Sequence, residues 1–275
     1  MKRFNRDYEL TIAVGQSRTV VVRPPLRVVF SVEKSVAGGL NKATFRVYNL
    51  QESNRLALVR DIEDTSVIPV QMRVGYDGEL GMVFKGTVQR GRSFREGPEM
   101  VTELECLDGG TQVLGTFVNQ TVRGSDKAVD AVRKAAGLDK GKLTTQPPIT
   151  RPRVLVGSVS RLLDDLAEGG ATWYIDDEQL FTLKQNEVIS RFVPVVNAST
   201  GLLNTPSRKM QRVTFDALMN PALRIGGLCS LESVTAPHMN GVYRIEEIGY
   251  SGDNYGSDWS QSITGVLAGN YEVVR

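Results

Sequence analysis

Histidine and cysteine are nearly missing from this chain. One histidine, His238, and two cysteines, Cys106 and Cys229, are spread over 275 residues. A zinc centre draws its ligands mostly from those residue types at close spacing, so no transition-metal site is expected. General acid–base chemistry centred on histidine would rest on one loop residue, in Thr235–Gly241. No apolar run approaches the ~20 residues needed to cross a bilayer. Net charge is only +2, which leaves no strong electrostatic footprint for DNA or an anionic membrane. The N-terminal stretch Met1–Asp7, basic through Lys2, Arg3 and Arg6, leads into an alternating pattern, not into the apolar core of a signal peptide, so folding in a cytoplasm is expected. No glycine motif follows a strand and opens a helix, as a phosphate cradle requires.

What is present is alternation. The apolar share is 41% and the charged share 23%, ordinary for a globular chain of two or three small domains. Tyr8, Leu10, Ile12 and Val14 alternate with polar neighbours. Thr19–Val22 starts a second strand, which Pro24-Pro25 interrupts. Leu26 to Val32 and Ala43 to Val47 are two more. Residues 52–60 read as a short helix with Leu56 and Val59 inward. Ile68 to Tyr76 alternates again, and Asp77-Gly78 has the chemistry of a tight hairpin turn. Leu80, Met82, Phe84 and Val88, then Met100 to Leu107, complete about seven strands. Such a series implies a small barrel or sandwich. Phe30, Phe45, Tyr76 and Phe84 are expected in its core. Cys106 and Cys229 sit within strand patterns and read as buried small hydrophobes, not a disulfide.

The middle differs. Ser125 is expected to cap a helix carrying Ala128, Val129, Val132, Ala135 and Ala136, with Gly137 as its stop. Residues 144–153 form a stiff proline-rich connector. Ser158 is expected to cap a second helix with Val159, Leu162, Leu163 and Leu166 inward, ended by Gly169-Gly170. Ala171–Ile175 and Leu180–Leu183 pair as a hairpin across residues 176–179. Residues 188–200 bridge to the last block. There Val213, Phe215 and Ala217 form one strand, Leu223 to Leu231 a second, Val242–Ile245 a third, and Trp259 to Leu267 a fourth after the turn at Ser251–Asp258.

Several of these strings resemble one family. "GLLNTP", "VTFDALMNPALRIGGLCSLES" and "NGVYRIEEIGYSGDNYGSDWSQSITG" are similar to the C-terminal domain of the baseplate (tail) hub proteins of tailed bacteriophages. "LNKATFRVYNLQESNR", "VGYDGELGMVFKGTVQR" and "TELECLDG" are similar to the N-terminal domain of the same family. The two-helix, two-strand middle resembles the small domain between them. The resemblance implies a mainly β (β+α) protein with two small antiparallel β-barrel domains, 1–108 and 190–275, and an inserted small α/β domain, 109–189. It further implies a structural virion protein of the tail baseplate, assembled in the host cytoplasm. A homotrimer would adapt the sixfold tail tube to the threefold central spike. Tail tube or distal tail ring protein, central spike and tape-measure protein are the implied partners. DNA would pass through the lumen without specific binding. The chain closes soon after its last strand, at Tyr271–Arg275, so no spike is expected to be fused to it.

The residues themselves supply little competing chemistry. Asp164-Asp165 point about 100° apart on a helix and share no site. Both read as solvated, and Asp176-Asp177 reads as turn chemistry. Asp253–Asp258 is rich in Asp and Asn but lacks the calcium-loop register and its glutamate. No catalytic, cofactor-binding or metal residue is therefore nominated, no cofactor is implied, and the chain is not expected to be an enzyme. A peptidoglycan-cleaving hub would need a lytic domain, for which no segment is left. The alternative is a receptor- or glycan-binding β-module of an appendage, which would use Tyr250, Tyr255 and Trp259 as an exposed cluster.

Overall fold

The computed structural model describes residues 5–15, 18–64, 66–123, 126–144, 152–167 and 170–274. In the first block, strands β1 (Arg6–Val14), β2 (Arg18–Val22), β3 (Val28–Ser35) and β4 (Lys42–Tyr48) precede helix α1 (Glu52–Leu58). Strands β5 (Pro69–Tyr76), β6 (Glu79–Glu96) and β7 (Glu99–Leu107) follow it. Tyr8, Leu10 and Ile12 are buried as their alternation requires, and so are Phe30, Phe45, Tyr76 and Phe84. The β5–β6 turn places Asp77 and Gly78 at φ 51° and 84°, the pair of positive values expected there.

Helix α1 shows a different face from the expected one. Leu58 is fully buried, whereas Leu56 and Val59 are half or more exposed. The cause is the exit of the helix. Arg60 exchanges both backbone hydrogen bonds with Gly91 (2.8 and 3.0 Å), and a Cβ at Gly91 would stand 1.9 Å from the Leu58 carbonyl oxygen. This close approach turns Leu58 under β6 and leaves its neighbours outside.

The middle block holds α2 (Gly110–Leu114), β8 (Phe117–Val122), α3 (Asp126–Ala136), β9 (Asp139–Leu143) and β10 (Arg153–Ser158). Helix α4 (Val159–Leu166) and the hairpin β11 (Ala171–Asp176) and β12 (Gln179–Lys184) complete it. The two long helices and the hairpin match the expectation. Helix α2 and strands β8, β9 and β10 do not appear in the sequence pattern. Among the described residues strands β8 and β10 pair only with each other, and they turn Phe117, Val154 and Val156 to solvent, so apolar residues mark their outer face. Ser158 holds the extended N-cap backbone, yet its hydroxyl makes no cap bond and lies 3.5 Å from that of Ser160. The expected cap Ser125, Gly169, and residues 145–151 of the connector lie outside the described residues. Tyr174, Phe181 and Leu183 of the hairpin enter the main core, while Trp173, Ile175 and Leu180 pack with the helices in a second one.

The last block contains β13 (Glu187–Val188), β14 (Val195–Asn197), β15 (Ser207–Lys209), β16 (Arg212–Leu218), β17 (Leu228–Glu232), β18 (Gly241–Asp253), β19 (Trp259–Leu267) and β20 (Glu272–Val273). The expected strand from Leu223 begins only at Leu228. Gly226, at φ 73°, reverses the chain first, although Leu223 and Ile225 remain buried. Strand β18 is far longer than Val242–Ile245. A bulge at Glu246 lets Ile245 and Ile248, three residues apart, point into the core together.

The antiparallel, mainly β class is as expected. The first and last blocks are joined by hydrogen bonds into one 13-stranded sheet, with the order β15-β16-β19-β18-β3-β4-β7-β6-β5-β1-β2 along its main path. Strand β18 gives one edge to β19 and divides the other. Its first residues pair with β17 and Glu247–Asp253 pair with β3 over seven register positions. One apolar core underlies both blocks.

The two blocks repeat one topology. The order β1-β5-β6-β7-β4-β3 in the first corresponds to β14-β17-β18-β19-β16-β15 in the last. Even the bulge recurs, at Gln89 in β6 and Glu246 in β18. Only the outermost pair differs in sense, antiparallel for β1–β5 and parallel for β14–β17.

The seam between β3 and β18 is tightly packed beneath. Phe30 and Trp259 meet edge to face at 5.5 Å, and a Cβ on Gly252 would stand 2.3 Å from the Phe30 ring. Gly252→Ala is therefore expected to cost about 1–3 kcal/mol in urea unfolding. Combining it with Phe30→Leu should recover part of that loss. Additivity of the two changes within ~0.5 kcal/mol would contradict a direct clash.

Candidate functional site

Asp176 and Asp177 close the β11–β12 hairpin, as expected, but they are not solvated. They are buried at the point where all three blocks meet. Lys34 of β3 places Nζ 2.5 Å from Asp176 and 2.9 Å from Asp177. Arg224 reaches the same two carboxylates at 2.6 and 2.8 Å. Asp177 and Glu178 have φ of 56° and 62°, and their N–H groups both donate to the Asp108 carboxylate at 2.7 Å. The left-handed pair thus aims two donors at a buried carboxyl group, which replaces the usual glycine chemistry of the turn. Asn41 adds a bond from its Nδ2 to the Ile175 carbonyl (2.6 Å).

Oxygens of Asp108, Asp176 and Asp177 lie within 4.8 Å of one another, a spacing that suits a metal ion. The donor set does not. Asp176 and Asp177 each give one oxygen to Lys34 and the other to Arg224, and both oxygens of Asp108 face backbone donors. The ammonium of Lys34 occupies the place of a cation, and the cluster is a structural junction. Burial opposes the charge of Lys34, but Asp176 and Asp177 outweigh it and raise its pKa. Burial likewise opposes the charge of Asp176, yet Lys34 and Arg224 hold its pKa below the ordinary carboxylate value. Asp108 goes the other way, pushed up to about 7 mainly by burial.

The acidic turn after β18 is also filled from within the protein. Arg6 Nη1 donates to the carbonyls of Asp253 (2.8 Å) and Gly256 (2.5 Å), and Nη2 to that of Ser257 (2.8 Å). Its guanidinium lies 5.9 Å from the Trp259 ring centroid. The Asp253 carboxylate pairs with Arg27 at 2.8 Å. Asn254 bonds the Val28 N–H and the Leu26 carbonyl (2.8 and 3.0 Å). The side chains of Asp253 and Asn254 thus tie the last block to the first, whereas the Asp258 carboxylate accepts from the Ser257 hydroxyl (3.2 Å).

The other singled-out residues do not converge. His238 is exposed on a one-turn 3-10 helix, Pro237–Met239. Asp164 accepts a bond from Trp173 Nε1 (2.7 Å), and Asp165 is exposed. Cys106 and Cys229 are free and buried. Tyr250 and Trp259 are core residues, which leaves Tyr255 alone at the surface with its hydroxyl bonded to the Pro25 carbonyl (2.7 Å). The aromatic cluster needed by a glycan-binding surface is therefore not formed by these three. Among the described residues no helix is long and apolar enough to cross a membrane.

A polar face of the sheet extends across both blocks. From β16 through β19, β18, β3, β4 and β7 to β6 it presents small hydroxyl residues and offset charges. One register row runs Ser260, Ser251, Ser31, Thr44, Glu105, Arg90. Thr214 and Thr264 hydroxyls lie 3.2 Å apart. Glu103 pairs with Arg92 and stands 3.5 Å from Arg46, while Glu247 meets Arg212 at 2.7 Å. The opposite side chains of these strands form the core, so a single sheet crosses both blocks with one apolar and one polar side.

Lys34→Met is expected to cost about 3–5 kcal/mol in chemical unfolding, because it strips a counter-charge from buried carboxylates. An effect below ~1 kcal/mol would show that the cluster is solvated. Asp108 supplies a pH signature. Its folded pKa lies above the unfolded value of 3.8, so its stabilising contribution is full at low pH and is lost as pH rises from about 4 to about 7. The stability gap between the native chain and Asp108→Asn should narrow over that window in melts at matched ionic strength. A widening gap would reverse the assignment.

Comparison with known proteins agrees with this architecture. The family model described as baseplate hub gp41 matches residues 8–260. A tail protein of Neisseria meningitidis MC58 superposes with a TM-score of 0.67 at 9% identity, covering 96% of this chain and 98% of that one. The 43 kDa tail protein of prophage MuSo2 from Shewanella oneidensis gives 0.64 at 11% identity, covering 94% and 97%. The E. coli c3393 protein, a type VI secretion system component, gives 0.65 at 12%, covering 97% and 79%. No curated protein matches in sequence. At these identities the solved structures establish a shared fold, and the family model, spanning most of the chain, establishes kinship. The chain belongs to the baseplate hub gp41 family, structural proteins of the phage tail and not enzymes.

Proposed function

We propose that this chain is a homotrimeric hub that adapts the sixfold tail tube to the threefold central spike and encloses the channel through which DNA leaves. The observation that carries the reading is the repeated strand order of the first and last blocks. Three chains then present six related β-units, 1–108 and 190–275 from each, in one ring. The unit 109–189 lies outside it. A closed ring can meet six equivalent tube subunits on one side and three spike chains on the other when the repeat resides within each chain.

The polar face of the sheet supports a lumen role. Its ion pairs are of opposite sign and many of its other residues are small alcohols, while the ring of its partly exposed Phe94 is met by the guanidinium groups of Arg46 and Arg92, so it offers DNA no run of free cations. The partners are a second and third copy of the chain, the tail tube or distal tail ring protein, the spike and a tape-measure protein. The place of action is the virion baseplate, after assembly in the host cytoplasm.

A reconstruction of the particle tests this directly. Three copies on the tail axis, with both β-units of each in one ring, are expected. Six copies, or a position away from the axis, would overturn the reading.

A further inference from the structure

The repeated topology contains one seam that is made and one that is left open. Within the chain, β3 adds its free edge to the second half of β18. The equivalents of these strands are β15 and β6. Among the described residues β15 pairs with β16 alone, and all three of its residues are exposed. In β6, β5 covers the edge from Glu79 to Thr87, Arg60 covers Gly91, and among the described residues no strand covers that edge from Arg92 to Glu96, where Arg55 of α1 donates to the Ser93 hydroxyl (3.3 Å). The open donor and the open acceptor belong to different repeats.

We infer that β15 of one chain adds antiparallel to residues 92–96 of β6 in a second copy, and that this strand addition is the contact that closes the ring. The inference rests on the ring reading above and names its interface. The bulges set the register. Thr264 pairs with Glu247 beside one bulge and Glu105 with Arg90 beside the other. Carried across the adjoining strands, Ser207, Arg208 and Lys209 correspond to Ser31, Val32 and Glu33. Those three pair with Ser251, Tyr250 and Gly249, whose counterparts are Phe94, Ser93 and Arg92. The seam between copies therefore sets Ser207 against Phe94, Arg208 against Ser93 and Lys209 against Arg92. Glu103 already offsets the charge of Arg92.

The surroundings fit. The added strand ends at Lys209, because Arg60 already holds the Gly91 edge, and Met210, 88% exposed at the tip of the β15–β16 hairpin, lies just past it. A head-to-tail contact of this kind joins two different patches, so it generates a ring when the rotation closes. The short donor strand limits pairing before assembly.

Cysteines at Arg208 and Ser93, introduced together into the full chain, test the register. Directly opposed residues of an antiparallel pair come close enough for a disulfide, and the native cysteines are buried. Mild oxidation of assembled virions should yield a covalent trimer on non-reducing gels. Ser207→Cys with Ser93→Cys, one residue out of register and on opposite faces, should not. Virions with three axial copies but no Arg208–Ser93 link would overturn the proposed seam and leave the ring standing. Should the double variant not assemble, a reconstruction of the unmodified particle decides: a strand other than β15 beside residues 92–96 overturns the seam. Six copies or an off-axis position would mean that the ring itself is wrong.

Discussion

The structure depends on how one strand spends its two edges. Strand β18 is thirteen residues long, gives one edge to β19, and splits the other between β17 and β3. Without that division the first and last blocks would be separate sheets with separate cores. With it, one apolar layer lies under both and one polar face runs over both. Arg6, Arg27 and Asn254 reinforce the seam at one end. At the other, Lys34 leaves β3 to meet Asp176, Asp177 and Arg224. The buried ions are therefore best understood as a fixing of three blocks at a single point. Such a cluster contributes specificity of arrangement more than net stability, since desolvation consumes much of its Coulombic gain.

Much of this was legible in the residues. Period-two alternation located β1, β4, β5, β7, β16 and β19, because each buries one face and wets the other. Asp77-Gly78 located a hairpin by the backbone it demands. The helices α3 and α4 declared themselves by apolar spacing. The failures share a cause, which is that local pattern carries no information on distant partners. The inward residue of α1 depends on Gly91, more than thirty positions away, and Asp176 and Asp177 are dry because Lys34 and Arg224 reach them. Bulges at Gln89 and Glu246 broke the alternation that long strands would otherwise have shown. Strands β8 and β10 went unseen because apolar residues lie on both of their faces, Val118 and Leu155 inward and Phe117, Val154 and Val156 outward.

The candidate surface was less legible than the fold. Nothing in a string of serines and threonines distinguishes a channel wall from any solvated sheet face. The family resemblance suggested the channel reading, and the structure added the continuity of those polar residues across both blocks. The repeat was equally hidden. The two blocks share strand order and bulge position while sharing few letters, since topology constrains burial and hydrogen bonding more than it constrains which apolar residue supplies them.

The seam within the chain has seven register positions, whereas β15 offers only three. A ring built from such chains would have strong and weak joints in strict alternation. Load applied along the tail, or pressure from within, would not be shared evenly. It would concentrate on three of six joints, and a hub built this way would part like a three-jawed chuck, into whole chains with their inner joints intact.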